Sequence, residues 1–386
     1  MDLDSFVVNP SINVSPYCYS ILRVEPYSTC GHRCVYCFGR WYRVESAEGM
    51  ELDAVKGFKR ILKFLRKRSL RIMPFRLSTL VDPFQPIEEE RRLSRHIMKL
   101  CLKYEAPLII NTKATLLLKD DLLSILRGLS DRGLVIVQVS LSTINAGFAR
   151  ILEPNAPQPI ERLNMAEKLS GENVPVIVRL QPFIPGITDH EVENIIRQSR
   201  YAGVKQIIVE ALRDEIKNLK IYEKLAYSKA AYDDLSAWLP YSPSVELPSK
   251  IIRPGIEWRI KVYAGVKSLC DKHGLEFSTC KEGLYDYHTA RNCCGIHHIT
   301  DGKYALRPTL YEAWKYYGKR GEIPSFNELL TSLNEAYIFG DEMKRYPRPL
   351  RKKMRSHEKI LKEILDEKRD IIKTLLPTFF WADHYY

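Results

Sequence analysis

Cys30, Cys34 and Cys37 stand in the run Tyr-Ser-Thr-Cys-Gly-His-Arg-Cys-Val-Tyr-Cys-Phe-Gly-Arg, three thiols within one short loop. Their spacing suits three corners of an iron–sulfur cube and leaves the fourth iron without a protein ligand. A four-thiolate cluster shuttles electrons, whereas an open iron also binds and activates a small molecule, so the loop points to catalysis. A structural zinc site with His32 as fourth ligand is the alternative. Zinc frameworks usually pair two Cys-x2-Cys knuckles, and only one such step occurs in this loop.

The composition fits an intracellular enzyme. At 386 residues the chain exceeds the usual single-domain size, and a hydrophobic content of 45% is ample for a core. One large domain with an appendage is expected. No N-terminal segment combines a charged start, an apolar stretch and a small-residue cleavage site, and no run of about 18 apolar residues occurs. The expectation is a soluble, cytoplasmic protein with no membrane partner. Nine cysteines are an odd count, unevenly clustered, and suit thiolate ligands in a reducing compartment better than a disulfide scaffold. Lys and Arg outnumber Asp and Glu by 59 to 47, and the net charge of +12 favours polyanionic partners such as nucleic acid. Much of the excess lies in Lys56 to Arg71 and in Lys344 to Arg355. The first run sets Phe58, Ile61, Leu62 and Leu65 at helical spacing, so a solvated cationic face on a packed helix also accounts for it.

The elements that must position the loop follow from hydrophobic patterning. Strand-like runs cover Tyr19 to Glu25, Ile72 to Thr79, Pro107 to Thr112, Leu134 to Ser142, Pro175 to Gln181 and Gln206 to Leu212. Amphipathic stretches at Arg92 to Tyr104, Asp120 to Leu129, Ile160 to Leu169 and Asp189 to Tyr201 are long enough for crossover helices. Such alternation means an α/β fold with parallel strands, and the lack of a phosphate-binding glycine fingerprint after the first strand disfavours the nucleotide-binding version. Thr79, Asp82, Lys113, Ser140, Ser142, Glu153, Arg179 and Gln181 sit at or just after strand ends, where parallel barrels gather their active sites. A partial six-stranded barrel is the expected architecture.

The cysteine spacing, with Tyr36 before the last thiol, resembles the radical S-adenosylmethionine (SAM) superfamily. Over residues 22–215 the resemblance narrows. Glu25-Pro-Tyr-Ser-Thr-Cys30, Val-Asp-Pro-Phe-Gln-Pro-Ile-Glu at 81–88, Asn-Thr-Lys at 111–113, Val139-Ser-Leu-Ser-Thr143, Leu152-Glu-Pro154, Arg162 and Pro182-Phe-Ile-Pro-Gly-Ile187 occur in the order found in the branch of spore photoproduct lyase and DNA repair photolyase-related proteins. The resemblance implies a partial (β/α)6 radical SAM barrel in which Cys30, Cys34 and Cys37 bind a [4Fe-4S] cluster. It further implies SAM as a cofactor on the open iron, cleaved reductively so that a hydrogen atom is abstracted from substrate, with electrons from a low-potential donor such as ferredoxin or flavodoxin. Lys113 and a serine of the segment holding Ser140 and Ser142 would hold the SAM carboxylate and ribose, with Thr79, Asp82 and Arg179 completing the cofactor site. Asp82 is equally a turn former before Pro83. DNA-lesion repair is the activity of the named branch, but the second-strand loop reads Arg76-Leu-Ser-Thr-Leu-Val-Asp82, without the cysteine that quenches the product radical in spore photoproduct lyase. Modification of RNA or a protein is the alternative, and a noncatalytic iron–sulfur or zinc protein that binds nucleic acid is a third reading.

Division at 1–245, 246–325 and 326–386 is expected: the barrel, a cysteine-containing extension that completes the barrel mouth, and a basic helical region. Glu257 to His273 reads as a helix, and Leu275 to Ser278 as an added strand carrying Cys280 toward the mouth. Cys280, Cys293 and Cys294 leave three readings open. With Cys270, His297 or His288 they ligate a second iron–sulfur cluster or a metal; Cys280 is a catalytic hydrogen-atom donor replacing the missing cysteine; or all are buried thiols acting as small apolar groups. Leu350, Met354, Leu361, Ile364, Leu365, Ile371, Ile372 and Leu375 form an interrupted stripe expected to pack on the barrel, and the aromatic end at 377–386 is expected to dock at the barrel bottom or against a partner, or to stack on bases.

Overall fold

The computed structural model of the protein describes residues 15–19, 22–41, 51–241 and 251–378, without the side chains of residues 51–53. Most of the aromatic end, residues 379–386, lies outside the described residues.

Among the described residues the expected strands form at β1 (Leu22–Val24), β2 (Phe75–Leu77), β3 (Leu108–Thr112), β4 (Val135–Leu141), β5 (Val176–Phe183) and β6 (Gln206–Ala211). A small antiparallel sheet follows, from β7 (Asp214–Glu215), β8 (Trp238–Pro240) and β9 (Ile251–Pro254). The chain then returns as β10 (Glu276–Thr279), which pairs in parallel with β6 and makes a seventh strand of the main sheet. Up to residue 272 the longer helices are α1 (Glu51–Lys67), α2 (Leu93–Tyr104), α3 (Asp120–Asp131), α4 (Pro159–Gly171), α5 (Thr188–Tyr201) and α6 (Ile256–Lys272). Proline suits the first position of α4 because its missing N–H is not needed there, and Glu161 accepts the Gln158 N–H at 2.6 Å to cap the same turn.

Strand order in the main sheet follows chain order, β1 to β6 and then β10, without the reversal of a doubly wound sheet. Crossovers of one hand then stack the helices on one face, and the twisted sheet curls around the other. Alternation assigns each strand residue to a face. Leu108, Ile110, Val137, Val139, Val176, Val178, Ile207 and Val209 point outward into a core shared with Ile97, Met98, Leu126, Leu163 and Ile195 of the helices. Ile109, Ile136, Ile177 and Ile208 belong to a separate inner cluster with Ile296, Ile299, Leu310, Leu361, Leu365 and Leu375. The C-terminal stripe therefore divides: Leu350 and Met354 join the outer core, while its later residues fill the barrel from inside. In α1, Phe58, Ile61, Leu62 and Leu65 are buried and Lys56, Lys59, Arg60 and Lys63 are exposed, as their spacing implied. Among the described residues no helix is long and apolar enough to cross a membrane.

The segment around Cys293 and Cys294 plugs this interior. Gln138 donates to the Cys294 carbonyl at 2.7 Å, Ser278 to the Cys293 carbonyl at 3.2 Å, and Asn292 caps the following turn by accepting the Ile296 N–H at 2.7 Å. Gly295 lies at φ +72°, and a Cβ there would meet Ile177 Cδ1 at 2.0 Å. Backbone strain and overpacking each cost on the order of 1–3 kcal/mol. Gly295→Ala is accordingly expected to destabilise the protein by about 2–4 kcal/mol, seen as a lower denaturation midpoint with an unchanged slope in urea.

Candidate active site

The cysteine loop lies over the carboxyl ends of the strands, held by neighbours on both sides. Gln85 accepts the Gly31 N–H and donates to the Thr29 carbonyl, both at 2.7 Å. Asn155 donates to the Gly31 carbonyl at 2.8 Å, and Val35 N–H donates to the Leu152 carbonyl at 2.9 Å. All three thiols are partly exposed and line one cavity. Burial pushes the Cys34 thiol up to about 12 despite the nearby Lys113 cation, so a bound metal would have to supply the charge that deprotonates it.

His32 settles its own part. Its Nδ1 lies 3.0 Å from the Asn155 carbonyl, and Nε2 faces an Asp82 carboxylate oxygen at 3.3 Å. Both ring nitrogens are thus turned to partners other than the thiols, which leaves the zinc reading without its fourth ligand and suits a three-thiol cluster. Asp82 is a brace: one carboxylate oxygen accepts from Phe84 N–H at 2.9 Å and Thr112 Oγ1 at 2.8 Å, the other from Lys113 N–H at 2.6 Å. Burial alone would raise its pKa, but His32 and these donors outweigh it and hold the carboxyl at about 2. The Asp82 N–H in turn points at Cys30 Sγ, 3.4 Å away.

Behind the loop is a buried polar network. Tyr36 and Arg162 both donate to Glu153, Ser142 donates to the Tyr36 hydroxyl at 3.0 Å, and Arg162 also donates to the Ser140 carbonyl at 3.1 Å. Lys113 Nζ stands 5.4 Å from the centre of the Tyr36 ring. Burial opposes its charge, yet Cys34 and Glu153 raise its pKa overall. Of the two serines only Ser140 lines the cavity, because Ser142 is fully buried and turned to Tyr36.

Deeper in, the inward positions of the strands turn polar above the isoleucine layer. Thr79, Asp82, Lys113, Ser140, Arg179 and Cys280 line the same cavity as the loop thiols. Arg179 donates to Gln138 at 2.9 Å and lies 3.7 Å from Cys280 Sγ. Burial, with Glu210 beside it, pushes the Cys280 thiol up to about 12. Cys294 Sγ accepts from Arg76 at 3.0 Å and lies 3.7 Å from Cys293 Sγ. Cys293, burial opposing, and then Arg76 and Arg179 hold the Cys294 thiol well below its usual range. Cys18 also lines the cavity and feels the charges of Cys294 and Lys281.

Of the partners considered for these thiols, Cys270 lies in the outer core and His288 is taken by Thr279, whose N–H and Oγ1 are each 2.9 Å from its Nε2. His297 faces Glu276 at 2.8 Å. Cys18, Arg76 and Lys281 were not singled out by sequence reasoning. Arg76 carried a usable signal, an arginine between two apolar residues of a strand, but Cys18 belongs to no motif.

A singly wound parallel sheet with three clustered thiols over its carboxyl edge defines an iron–sulfur barrel domain. Residues 24–198 match the model of the Radical SAM superfamily. That match implies a [4Fe-4S] cluster and SAM, which together would supply reductive cleavage of SAM when bound. The chain is 31% identical over 163 residues to an uncharacterized protein of Acidianus two-tailed virus, covering 41% of this chain and 52% of that protein. It is 27% identical over 212 residues to an uncharacterized protein of Mycobacterium tuberculosis, covering 53% of this chain and 61% of the other. The matches thus span about half to three fifths of those relatives. Among solved structures, a cysteine-to-serine variant of spore photoproduct lyase has a TM-score of 0.49 at 13% identity, covering 70% of this chain and 80% of that one. SuiB of Streptococcus suis bound to S-adenosylmethionine has a TM-score of 0.46 at 12% identity, covering 69% and 52%.

The Glu153–Arg162 pair is fully buried, so removing one charge strands the other. Glu153→Gln is expected to cost about 3–5 kcal/mol in denaturant unfolding and to lower iron retained after reconstitution. An unchanged midpoint would show that the network does not hold the loop.

Proposed function

We propose that the protein is a hydrogen-abstracting radical SAM enzyme acting on nucleic acid, with repair of a DNA lesion as its reaction. The charge of the cavity carries this reading. Arg76, Lys113, Arg179, Arg213 and Lys281 line it against Asp82 and Glu210. Both carboxylates are engaged, Asp82 as described and Glu210 by Arg213 at 3.3 Å and by Gln181. Such an excess suits the SAM carboxylate together with substrate phosphate. Outside the cavity, Arg348, Arg351, Lys352, Arg355 and Lys359 share one face of a helix and offer a second polyanion contact.

In this reading Cys30, Cys34 and Cys37 hold the cluster, and Lys113 receives the SAM carboxylate. Ser140 faces the ribose, while Thr79 and Arg179 shape the rest of the cofactor site. Asp82 and Ser142 act through the loop rather than on the cofactor. Cys280 keeps its S–H proton because burial disfavours the thiolate, and a neutral thiol is the form that donates a hydrogen atom to a substrate radical. A lesion must leave the base stack to enter the barrel. Electrons come from a low-potential donor such as ferredoxin or flavodoxin in the reducing cytoplasm.

After anaerobic reconstitution and dithionite reduction, chromatography should detect 5'-deoxyadenosine from SAM, formed faster with lesion-bearing DNA than with undamaged DNA or RNA. None from a cluster-loaded protein ends the enzyme reading, and equal rates with every nucleic acid end the DNA-lesion reading.

One observation favours a second reading, in which RNA or a protein is modified with the help of an auxiliary cluster. Cys18, Cys280, Cys293 and Cys294 lie near enough for Cys293 to feel the other three, and Arg76 and Arg179 stand beside them. A Cys30→Ala/Cys34→Ala/Cys37→Ala variant would then retain iron by colorimetric assay after reconstitution. Complete loss of iron withdraws the auxiliary cluster.

A further inference from the structure

We infer that Glu276, His297 and His298 form a binding site for a first-row divalent metal ion, with zinc as the expected occupant. The site lies where β10 begins, at the opposite end of the barrel from the cysteine loop, and it is independent of the proposed reaction.

Glu276 Oε2 lies 2.8 Å from His297 Nε2 and 3.1 Å from His298 Nε2. The three donor atoms all fall within 4.8 Å of one another. Metal–nitrogen and metal–oxygen bonds of about 2.1 Å put neighbouring ligand atoms about 3 Å apart in a six-coordinate shell and about 3.4 Å apart in a tetrahedral one. The two carboxylate–imidazole spacings therefore reach coordination spacing with shifts of a few tenths of an ångström. His298 adds a second observation: although its Nε2 is close to the carboxylate, it is buried and makes no aligned hydrogen bond. A buried imidazole nitrogen 3.1 Å from a carboxylate, without an aligned hydrogen bond to it, is open to a shared ion.

The imidazole rings are set by backbone structure. Their centroids lie 4.1 Å apart, on the short turn Ile296–His298 that follows the plug. Thr300 N–H then donates to the Gly133 carbonyl at 3.0 Å, anchoring the far side of that turn. The Glu276 side chain is 37% exposed, which gives a hydrated ion a path in and leaves room for water at the remaining positions. Two imidazoles and a carboxylate without a thiol suit zinc and its first-row neighbours rather than calcium or magnesium. An ion here would tie the start of β10 to the segment that holds Cys294 inside the barrel.

The test gives the cluster-reconstituted full chain stoichiometric zinc, desalts it, and combines metal analysis with zinc K-edge X-ray absorption. Expected are retained zinc with a nitrogen/oxygen shell at about 2.0–2.1 Å, no sulfur at about 2.3 Å, and a zinc-dependent rise in melting temperature. The His297→Asn/His298→Asn double variant should lose both the zinc and the rise. Sulfur ligation in the wild type, no retained zinc, or equal nitrogen/oxygen-bound zinc in the double variant would overturn the site. The wild-type spectrum decides even if the double variant fails to fold, because thiols and imidazoles leave different shells.

Discussion

The inner face of a curled sheet has to be covered, and among the described residues β1 and β10 do not pair to close the ring. An exposed layer of Ile109, Ile136, Ile177 and Ile208 would forfeit on the order of 1.5–3 kcal/mol per side chain in lost burial. The chain covers that layer with its own C-terminal part, Ile296, Leu310, Leu361 and Leu365 among them. The same curl leaves the opposite end of the interior open, beneath the cysteine loop. One constraint thus divides the barrel into a filled apolar end and a polar cavity.

The boundary between the two halves is where the plug meets the strands. Gln138 binds both Arg76 and Arg179 through its carbonyl oxygen and the Cys294 backbone through its amide. A single buried side chain therefore orients two cavity cations and the strand of chain that carries the thiols. The cysteine loop is fixed in a similar way from above, with Gln85, Asp82 and Asn155 each bridging elements distant in sequence. Side chains locked by such secondary contacts hold a fixed geometry better than a free loop would.

Concentrating Arg76, Lys113, Arg179, Arg213 and Lys281 around one cavity runs against the cost of burying charge, which is several kcal/mol per ion even after relaxation. Glu210, Glu153 and the thiols offset part of it, as the raised pKa of Lys113 reflects. Under the proposed function the remainder is met by the anions that arrive with cofactor and substrate. Burial pushes both thiols up, but at Cys294 the Cys293 thiol, with Arg76 and Arg179, outweighs it, so Cys280 favours the thiol and Cys294 the thiolate. Two cysteines of one cavity are thereby differentiated.

Features that depend on local spacing were legible in the chain itself. The three-thiol loop, the alternation of strands and helices, and the placement of Thr79, Lys113 and Ser140 at strand ends follow from residues close together in sequence, where covalent geometry and period-two patterning limit the outcomes; Arg179, expected at a strand end, lies inside β5 because that strand runs on to Phe183. The added strand carrying Cys280 was readable for the same reason. Only the folded chain brought Cys18 to the thiols of Cys280 and Cys294, removed Cys270 and His288 from that group, turned Ser142 behind the loop, and aimed His297 and His298 at Glu276. Those outcomes depend on which faces of distant segments meet when the C-terminal part fills the barrel. That meeting is decided by summed burial over the whole interior, a quantity that no short stretch of sequence carries.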